Sequence, residues 1–104
     1  MASKYKAKRT EYNGRTYDSK AEARWAMIYQ NMLRTGQLKD IEYQPSIELL
    51  PKPNKIVYKP DFLLTWPDES KEYIDVKGMI LPAFRLKQKM MAYFYPDKKL
   101  TLVK

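Results

Sequence analysis

Two aspartates and a lysine are the residues whose types and spacing could do chemistry in this chain. Asp61 and Asp75 lie on consecutive predicted strands, and Lys77 follows Asp75 by two residues. Alternating apolar residues mark both strands, and the turn-forming segment 67–70 joins them. The sequence therefore predicts a β-hairpin that carries one aspartate on each strand.

The pairing register of this hairpin decides whether the two aspartates meet. If Trp66 pairs with Ser70, Asp61 falls opposite Asp75 on one face. The same register gathers apolar side chains of both strands on the other face: Phe62, Leu64 and Ile74. A slip of one residue would separate the two aspartates onto different faces.

Two carboxylates directly opposite each other repel, at a cost of a few tenths to about 1 kcal/mol. A divalent cation held between Asp61 and Asp75 would offset this repulsion, and hard oxygen ligands favour Mg²⁺ or Mn²⁺. Lys77 lies on the same face, with Lys59 across from it. The alternative is that both aspartates and the lysine are solvated surface side chains.

The composition narrows the classes of function. The chain has 104 residues, which suits a single domain, and a formal charge of +8, which indicates a polyanionic partner: nucleic acid first, an anionic membrane surface second. We expect neither a membrane span nor a secretory signal, and a cytoplasmic location, which is the host cytoplasm if a phage encodes the chain. With no Cys and no His, catalysis would have to use carboxylates, lysines, tyrosines and a bound metal.

A first helix is predicted to begin after Ser19 and to end near Arg34, before Gly36. Ser19 and Glu22 have the spacing of a capping box. Glu22 also heads an apolar stripe at helical spacing, whose other members are Trp25, Ala26, Tyr29 and Leu33. Because an unpaired buried carboxylate is costly, Glu22 either serves only as a cap or also lies beside the metal.

A second helix is predicted from Pro82 to about Tyr93. Its predicted inner stripe comprises Ala83, Leu86, Met90 and Phe94. Its predicted outer face comprises Arg85, Gln88, Lys89 and Ala92. Lys87 falls within the apolar side, as Glu22 does on the first helix, although its long stem could equally carry the ammonium to water.

The remaining segments complete the predicted order of elements. Residues 1–9 form a basic arm, either a solvated tail or a phosphate-binding segment, whose cations are Lys4, Lys6, Lys8 and Arg9. The dipeptide at 13–14 predicts a small hairpin. Residues 38–50 predict a strand or a bent pair of strands broken at Pro45, next to Gln44, which either contacts the site or satisfies a sheet edge. Residues 100–103 predict a last strand.

The predicted order is helix, three antiparallel strands, helix and strand, an α/β or α+β fold with a central mixed four-stranded sheet. With its acidic residues, this order resembles the PD-(D/E)xK nuclease superfamily, which has a restriction-endonuclease-like αβββαβ core. The chain is most similar to small phage and prophage members over about 17–103. Four segments carry the resemblance: Tyr17-x-Ser19-x-x-Glu22, Gln44-Pro45, Pro60-Asp61-Phe62 and Asp75-Val76-Lys77-Gly78. Asp75 stands where many members have glutamate.

The resemblance implies a role for each matching residue. Asp61, Asp75 and the Val76 carbonyl would bind Mg²⁺ or Mn²⁺, and Glu22 would complete the ligand shell directly or through water. Lys77 would orient or help to deprotonate the attacking water. The residues expected to hold DNA are Lys87, Lys89, Arg85, Gln44 and Lys59, with Lys4, Lys6, Lys8 and Arg9 of the arm.

The leading hypothesis is a metal-dependent DNA endonuclease of phage type, acting on branched DNA such as Holliday junctions in recombination or DNA processing. Superfamily members of this size that resolve junctions are homodimers, so the resemblance implies a homodimer. The alternative hypothesis is a basic nucleic-acid-binding module without catalysis, in which tyrosines and tryptophans stack on single strands. A third hypothesis is a phage protein that binds a host protein through surface charge.

Overall fold

Residues 8–104 are the part of the chain that the computed structural model describes, and they form two helices and eight strands. The elements are β1 (Thr10–Tyr12), β2 (Arg15–Tyr17), α1 (Lys20–Arg34), β3 (Asp40–Tyr43), β4 (Ile47–Leu50), β5 (Ile56–Tyr58), β6 (Phe62–Thr65), β7 (Lys71–Val76), α2 (Pro82–Phe94) and β8 (Lys99–Val103). The cations Lys4 and Lys6 of the predicted arm lie outside these described residues.

A mixed four-stranded sheet forms the centre of the fold, in the order β3-β6-β7-β8. Strands β3, β6 and β7 are antiparallel, and β8 pairs parallel with β7 after the α2 crossover. The β6–β7 register pairs Phe62 with Ile74 and Leu64 with Glu72, as the sequence predicts. The chain is thus an α+β protein with the expected mixed sheet.

The two faces of this sheet are covered by different elements. Phe62, Leu64 and Ile74 pack against α1 in one apolar cluster. Leu63 and Tyr73 point to the other face and pack with side chains of α2, β4 and β5 in a second cluster. This alternation follows from the two-residue period of a strand. Because both faces are covered, β6 is buried along its whole length.

Helix α1 begins where the sequence predicts. The Ser19 side chain accepts a hydrogen bond from the Glu22 backbone N–H at 3.1 Å, which satisfies one of the free donors of the first turn. Ala26 and Tyr29 of the predicted stripe are buried, and Trp25 is half-buried. The prediction for Leu33 is wrong: it is exposed, and Met32 packs against the core instead.

Helix α2 has the predicted position but a different rotation about its axis. Leu86 and Phe94 of the predicted inner stripe are 57% and 46% exposed, whereas Phe84 and Met91 are buried. The predicted stripe is therefore wrong except at Met90, which packs against the second cluster. Gln88 of the predicted outer face is half-buried, and so is Lys87. The reason is that β4 and β5 offer a second apolar surface, which Phe84 and Met91 contact.

Two small hairpins stand beside the central sheet. Strands β1 and β2 are joined by Asn13 and Gly14, whose φ angles of 53° and 82° match the left-handed turn that Asn-Gly favours. The predicted segment 38–50 is a bent pair of strands, of which β3 joins the central sheet and β4 pairs with β5. Strand β5 was not expected, because its three residues follow a loop rich in proline.

Within residues 8–104, neither helix is both long and apolar enough to cross a membrane.

Candidate metal-binding and catalytic site

An acidic cleft lies at the end of the central sheet where β3 and β7 finish and β6 begins, beside the first turn of α1. Its volume is about 450 Å³. It brings together seven predicted site residues and two others: Glu22, Gln44, Lys59, Asp61, Asp75, Val76 and Lys77, with Asp18 and Ser19. We call this cavity the acidic cleft.

The β6–β7 register brings Asp61 and Asp75 to the same cleft. Phe62 pairs with Ile74, and the Asp61 backbone N–H also donates to the Ile74 carbonyl at 3.0 Å, so Asp61 stays attached to β7 just before β6 begins. The Asp61 carboxylate accepts a hydrogen bond from the Val76 N–H at 2.7 Å. This bond fixes the carboxylate against the end of β7.

Asp75 is 3% exposed and has two partners. The Tyr58 hydroxyl donates a hydrogen bond to its Oδ2 atom, and the Lys77 Nζ atom lies 3.5 Å from its Oδ1 atom. The two oxygens of this buried carboxylate are therefore held in fixed directions by a phenol and an ammonium group. Such supporting bonds orient a carboxylate that binds a metal.

Glu22 reaches the cleft from the first turn of α1, where it is 5% exposed. The Ser19 side chain caps the helix by accepting from the Glu22 backbone N–H, and the Glu22 side chain lines the cleft. Of the two interpretations that the sequence left open, this position agrees with a glutamate that stands at the helix start and also lines the site.

The three carboxylates alter one another's protonation. Burial, together with the nearby carboxylates of Asp75 and Glu22, raises the pKa of Asp61 to about 8, while the hydrogen bond from the Val76 N–H opposes the rise. Burial also raises the pKa of Glu22, while a hydrogen bond with Asp61 opposes that rise. Without a cation, at least one proton therefore stays in the cleft near neutral pH.

This donor set suits a hard divalent cation. Asp61, Asp75 and Glu22 supply carboxylate oxygens, which Mg²⁺ and Mn²⁺ prefer, and a bound cation would replace the proton that their burial and mutual repulsion retain. Among residues 8–104, no three acidic side chains already stand in the arrangement of a formed metal site. The carboxylates are held instead by the hydrogen bonds of Val76 and Tyr58, so a cation would have to draw them together.

A second cavity of about 440 Å³ adjoins the acidic cleft and has a different lining. It contains three lysines on an apolar background: Lys59, Lys77 and Lys87, with Val57, Tyr58, Met79, Leu81, Ala83 and Phe84. We call it the lysine pocket. Lys59 and Lys77 line both cavities. The Lys77 Nζ atom lies 4.6 Å from the centre of the Phe84 ring, a cation–π distance.

The other cations expected to hold DNA lie outside both cavities. Arg85 and Lys89 are exposed on α2, and Lys8 and Arg9 are exposed before β1. The sequence reasoning missed Tyr58, because nothing in its spacing marks a hydroxyl that reaches Asp75 from a separate hairpin. It also missed Asp18, although its place four residues before Glu22, beside the cap, was a usable signal.

Comparison with protein families gives one match. Residues 2–104 match the family described as "Protein of unknown function (DUF1064)". The search of curated proteins found no match.

Proposed function

The chain belongs to the DUF1064 family, and we propose that it is a metal-dependent DNA endonuclease, an enzyme that hydrolyses phosphodiester bonds with Mg²⁺ or Mn²⁺. One observation carries the proposal. Asp61, directly before β6, and Asp75, in the paired strand β7, line one cleft with Glu22, and the Lys77 ammonium lies 3.5 Å from Asp75. Such a concentration of buried acids at a cleft is costly to a fold and is typical of functional sites.

The arrangement supports a role for each residue. Asp61, Asp75, the Val76 carbonyl and Glu22 would hold the cation, which would supply positive charge at the phosphate and make water a better nucleophile. Lys77 is positioned beside Asp75 to orient the attacking water and to stabilise negative charge on the phosphate. Tyr58 keeps Asp75 oriented through its hydroxyl.

The fold is consistent with the same proposal. The order α1, β3, β6, β7, α2, β8 corresponds to an αβββαβ core, into which the β4–β5 hairpin is inserted. We propose that this is a restriction-endonuclease-like core. The resemblance to phage and prophage nucleases further suggests a structure-selective enzyme that cuts branched DNA, such as Holliday junctions, in the cytoplasm of a host cell.

DNA would approach over the lysines beside the cleft. Lys59 and Lys77 line both cavities and Lys87 lines the second, so cations surround the place where a scissile phosphate would lie. Arg85, Lys89, Lys8 and Arg9 are exposed and would extend the contact to neighbouring phosphates. Gln44 lines the cleft and could donate to a phosphate oxygen.

A homodimer is part of the proposal, since cutting two strands of a junction requires two sites. The outer face of α2 offers a surface for it, because Leu86, Tyr93 and Phe94 are exposed there. Apolar side chains gathered on one exposed face are typical of interaction surfaces.

The test is a set of labelled substrates incubated with purified protein: duplex, single strand, flap and four-way junction, each with Mg²⁺, Mn²⁺ or EDTA. Cleavage that requires the metal and is fastest on the four-way junction supports the full proposal. Binding to all substrates without cleavage in either metal would contradict it.

That second outcome describes the other candidate function, a non-catalytic nucleic-acid-binding module. It is favoured by the formal charge of +8 and by the lysine pocket, which can hold nucleic acid without any reaction. Binding that falls steeply with salt would agree with this module and would count against a partner protein recognised by surface charge.

A further inference from the structure

The lysine pocket combines lysines with an apolar wall, and binding to a DNA backbone alone does not require such a wall. A site that only grips phosphates can be a flat row of cations, whereas this cavity combines Lys59, Lys77 and Lys87 with apolar walls. None of the described residues that line it is acidic. The cavity therefore suits a ligand that is anionic at one end and flat or apolar at the other.

The volume of about 440 Å³ lies in the range of about 300–1,000 Å³ that is typical of small-molecule sites. The apolar part of the wall is formed by Phe84, Leu81 and Met79, of which Leu81 and Met79 are 40% and 55% exposed. A nucleobase has the flat shape and the apolar faces that such a wall can contact. The adjacent phosphate would meet the ammonium groups.

The pocket is also correctly placed with respect to the proposed reaction. Lys59 and Lys77 line both the pocket and the acidic cleft, so a nucleotide in the pocket lies next to a phosphate in the cleft. A base that is paired and stacked inside a duplex cannot enter such a cavity, since it must first leave the stack.

We propose that the lysine pocket receives one unpaired nucleotide of the strand that is cut, next to the scissile phosphate. This inference rests on the proposed endonuclease function and specifies its substrate: DNA with an unpaired or easily unpaired nucleotide at the cut. The base contacts the exposed side chains of Leu81 and Met79, beside the buried Phe84, and the phosphate is held by the three lysines. Structure selectivity then comes from the ease of unpairing, without base-specific hydrogen bonds.

The first experiment fills the pocket. Ala83 lines it and is exposed, so Ala83→Trp places an indole in the cavity without disturbing the core. Ala92 is exposed on the same helix outside this pocket, and Ala92→Trp is the matched control. Binding of a fluorescent single-stranded oligonucleotide and of its duplex is measured by anisotropy in EDTA, which excludes cleavage. Circular dichroism checks that both variants fold.

We expect Ala83→Trp to weaken single-strand binding about tenfold, the scale of one lost base contact, and to change duplex binding less than twofold. Ala92→Trp should change neither affinity. Equal losses for single strand and duplex, or no loss for either, would overturn the proposal. An acidic peptide of the same charge that binds as tightly and suffers the same loss would also overturn it.

The second experiment begins with the unmodified protein, so its main result does not depend on how a variant folds. Each base of a junction arm is replaced in turn by an abasic spacer, and binding in EDTA is measured. One position should lose affinity about tenfold, and the same spacer should have no effect in Ala83→Trp. Equal effects at all positions would contradict a single base pocket.

The two proposals fail in different ways. If the abasic position is found but no substrate is cut in Mg²⁺ or Mn²⁺, the pocket stands as a binding site and the nuclease proposal is wrong. If junctions are cut and no abasic position matters, the nuclease proposal stands and the pocket proposal is wrong. An RNA strand of the same sequence shows whether the pocket distinguishes ribose from deoxyribose.

Discussion

The acidic cleft and the lysine pocket share Lys59 and Lys77, yet the rest of their linings have opposite character. The cleft adds four carboxylates, those of Asp18, Glu22, Asp61 and Asp75, whereas the pocket adds Lys87 and apolar side chains. The first cavity suits a small cation and the second suits an anionic, partly apolar ligand. Two neighbouring sites of opposite charge suit metal-assisted hydrolysis of a polyanion, because one can hold the metal ion and the other can hold the substrate.

The largest effect on the cleavage rate is expected from substitutions of the aspartates in the acidic cleft. Asp61→Asn or Asp75→Asn should lower the rate of junction cleavage in Mg²⁺ by about a thousandfold, well beyond the 10–100-fold cost of losing a supporting bond to a metal ligand. DNA binding should persist, because the lysine pocket is unchanged. Cleavage assays and anisotropy measure the two effects.

The control for this prediction is Asp97→Asn, which changes an exposed aspartate in the turn after α2. It should cleave at the wild-type rate. If Asp61→Asn or Asp75→Asn also cleaved at that rate, the catalytic roles would be misassigned.

The pH dependence of stability tests the acidic cleft without any substrate. Because the folded-state pKa of Asp61 is about 8, above its ordinary 3.8, the folded protein binds a proton more tightly than the unfolded chain. Stability should therefore be highest near pH 4 and fall as the pH rises to 8 in EDTA. The melting temperature should drop by about 5–10 °C between pH 5 and 8, and Mg²⁺ should restore much of the loss at pH 8.

Thermal melts by circular dichroism measure this effect, and the absence of histidine keeps imidazole titration out of the same range. Asp61→Asn should flatten the dependence. A wild-type melting temperature that rises from pH 5 to pH 8 in EDTA would contradict the raised pKa of Asp61 in the folded protein.

Tyr58 connects the two cavities, since it lines the pocket and its hydroxyl donates to Asp75 of the cleft. Tyr58→Phe removes the hydroxyl and keeps the ring. We expect cleavage to slow about tenfold through loss of carboxylate orientation, while single-strand affinity changes little. The reverse result, weaker binding with unchanged cleavage in saturating DNA, would assign Tyr58 to the pocket alone.

The smallest effect is expected on DNA affinity when a single lysine of α2 is replaced. Lys87→Ala should weaken DNA binding several-fold and lower the slope of log affinity against log salt by about 1. Lys89→Ala on the exposed face of the same helix is the comparison, and it should weaken binding less. Equal losses would mean that α2 contacts DNA along its outer face, and that the pocket has no special part.

The acidic cleft was largely predictable from sequence, and the lysine pocket was not. Alternating apolar residues and a turn at 67–70 predict the β6–β7 register, in which Phe62 pairs with Ile74, and that register brings the adjacent Asp61 and Asp75 to one end of the sheet. Glu22 followed from its place at the head of the α1 stripe. These signals come from neighbouring residues or from a single hairpin, so they can be recognised in the amino-acid sequence.

The rotation of α2 could not be predicted in the same way. Its sequence offers two apolar stripes, one through Leu86 and Phe94 and one through Phe84 and Met91. Which of them is buried depends on the surface opposite, and that surface includes β4 and β5, a hairpin whose pairing spans a proline-rich loop. The lysine pocket needs this rotation, since Lys59 follows β5 and Lys87 lies on α2.

The shared position of Lys77 links the affinities of the two cavities. Its ammonium is 3.5 Å from Asp75 on one side and 4.6 Å from the Phe84 ring centre on the other. A cation that binds Asp75 competes with this ammonium and leaves it freer to meet an anion. By thermodynamic reciprocity, DNA that attracts Lys77 must strengthen cation binding by the same factor, so each ligand prepares the protein for the other.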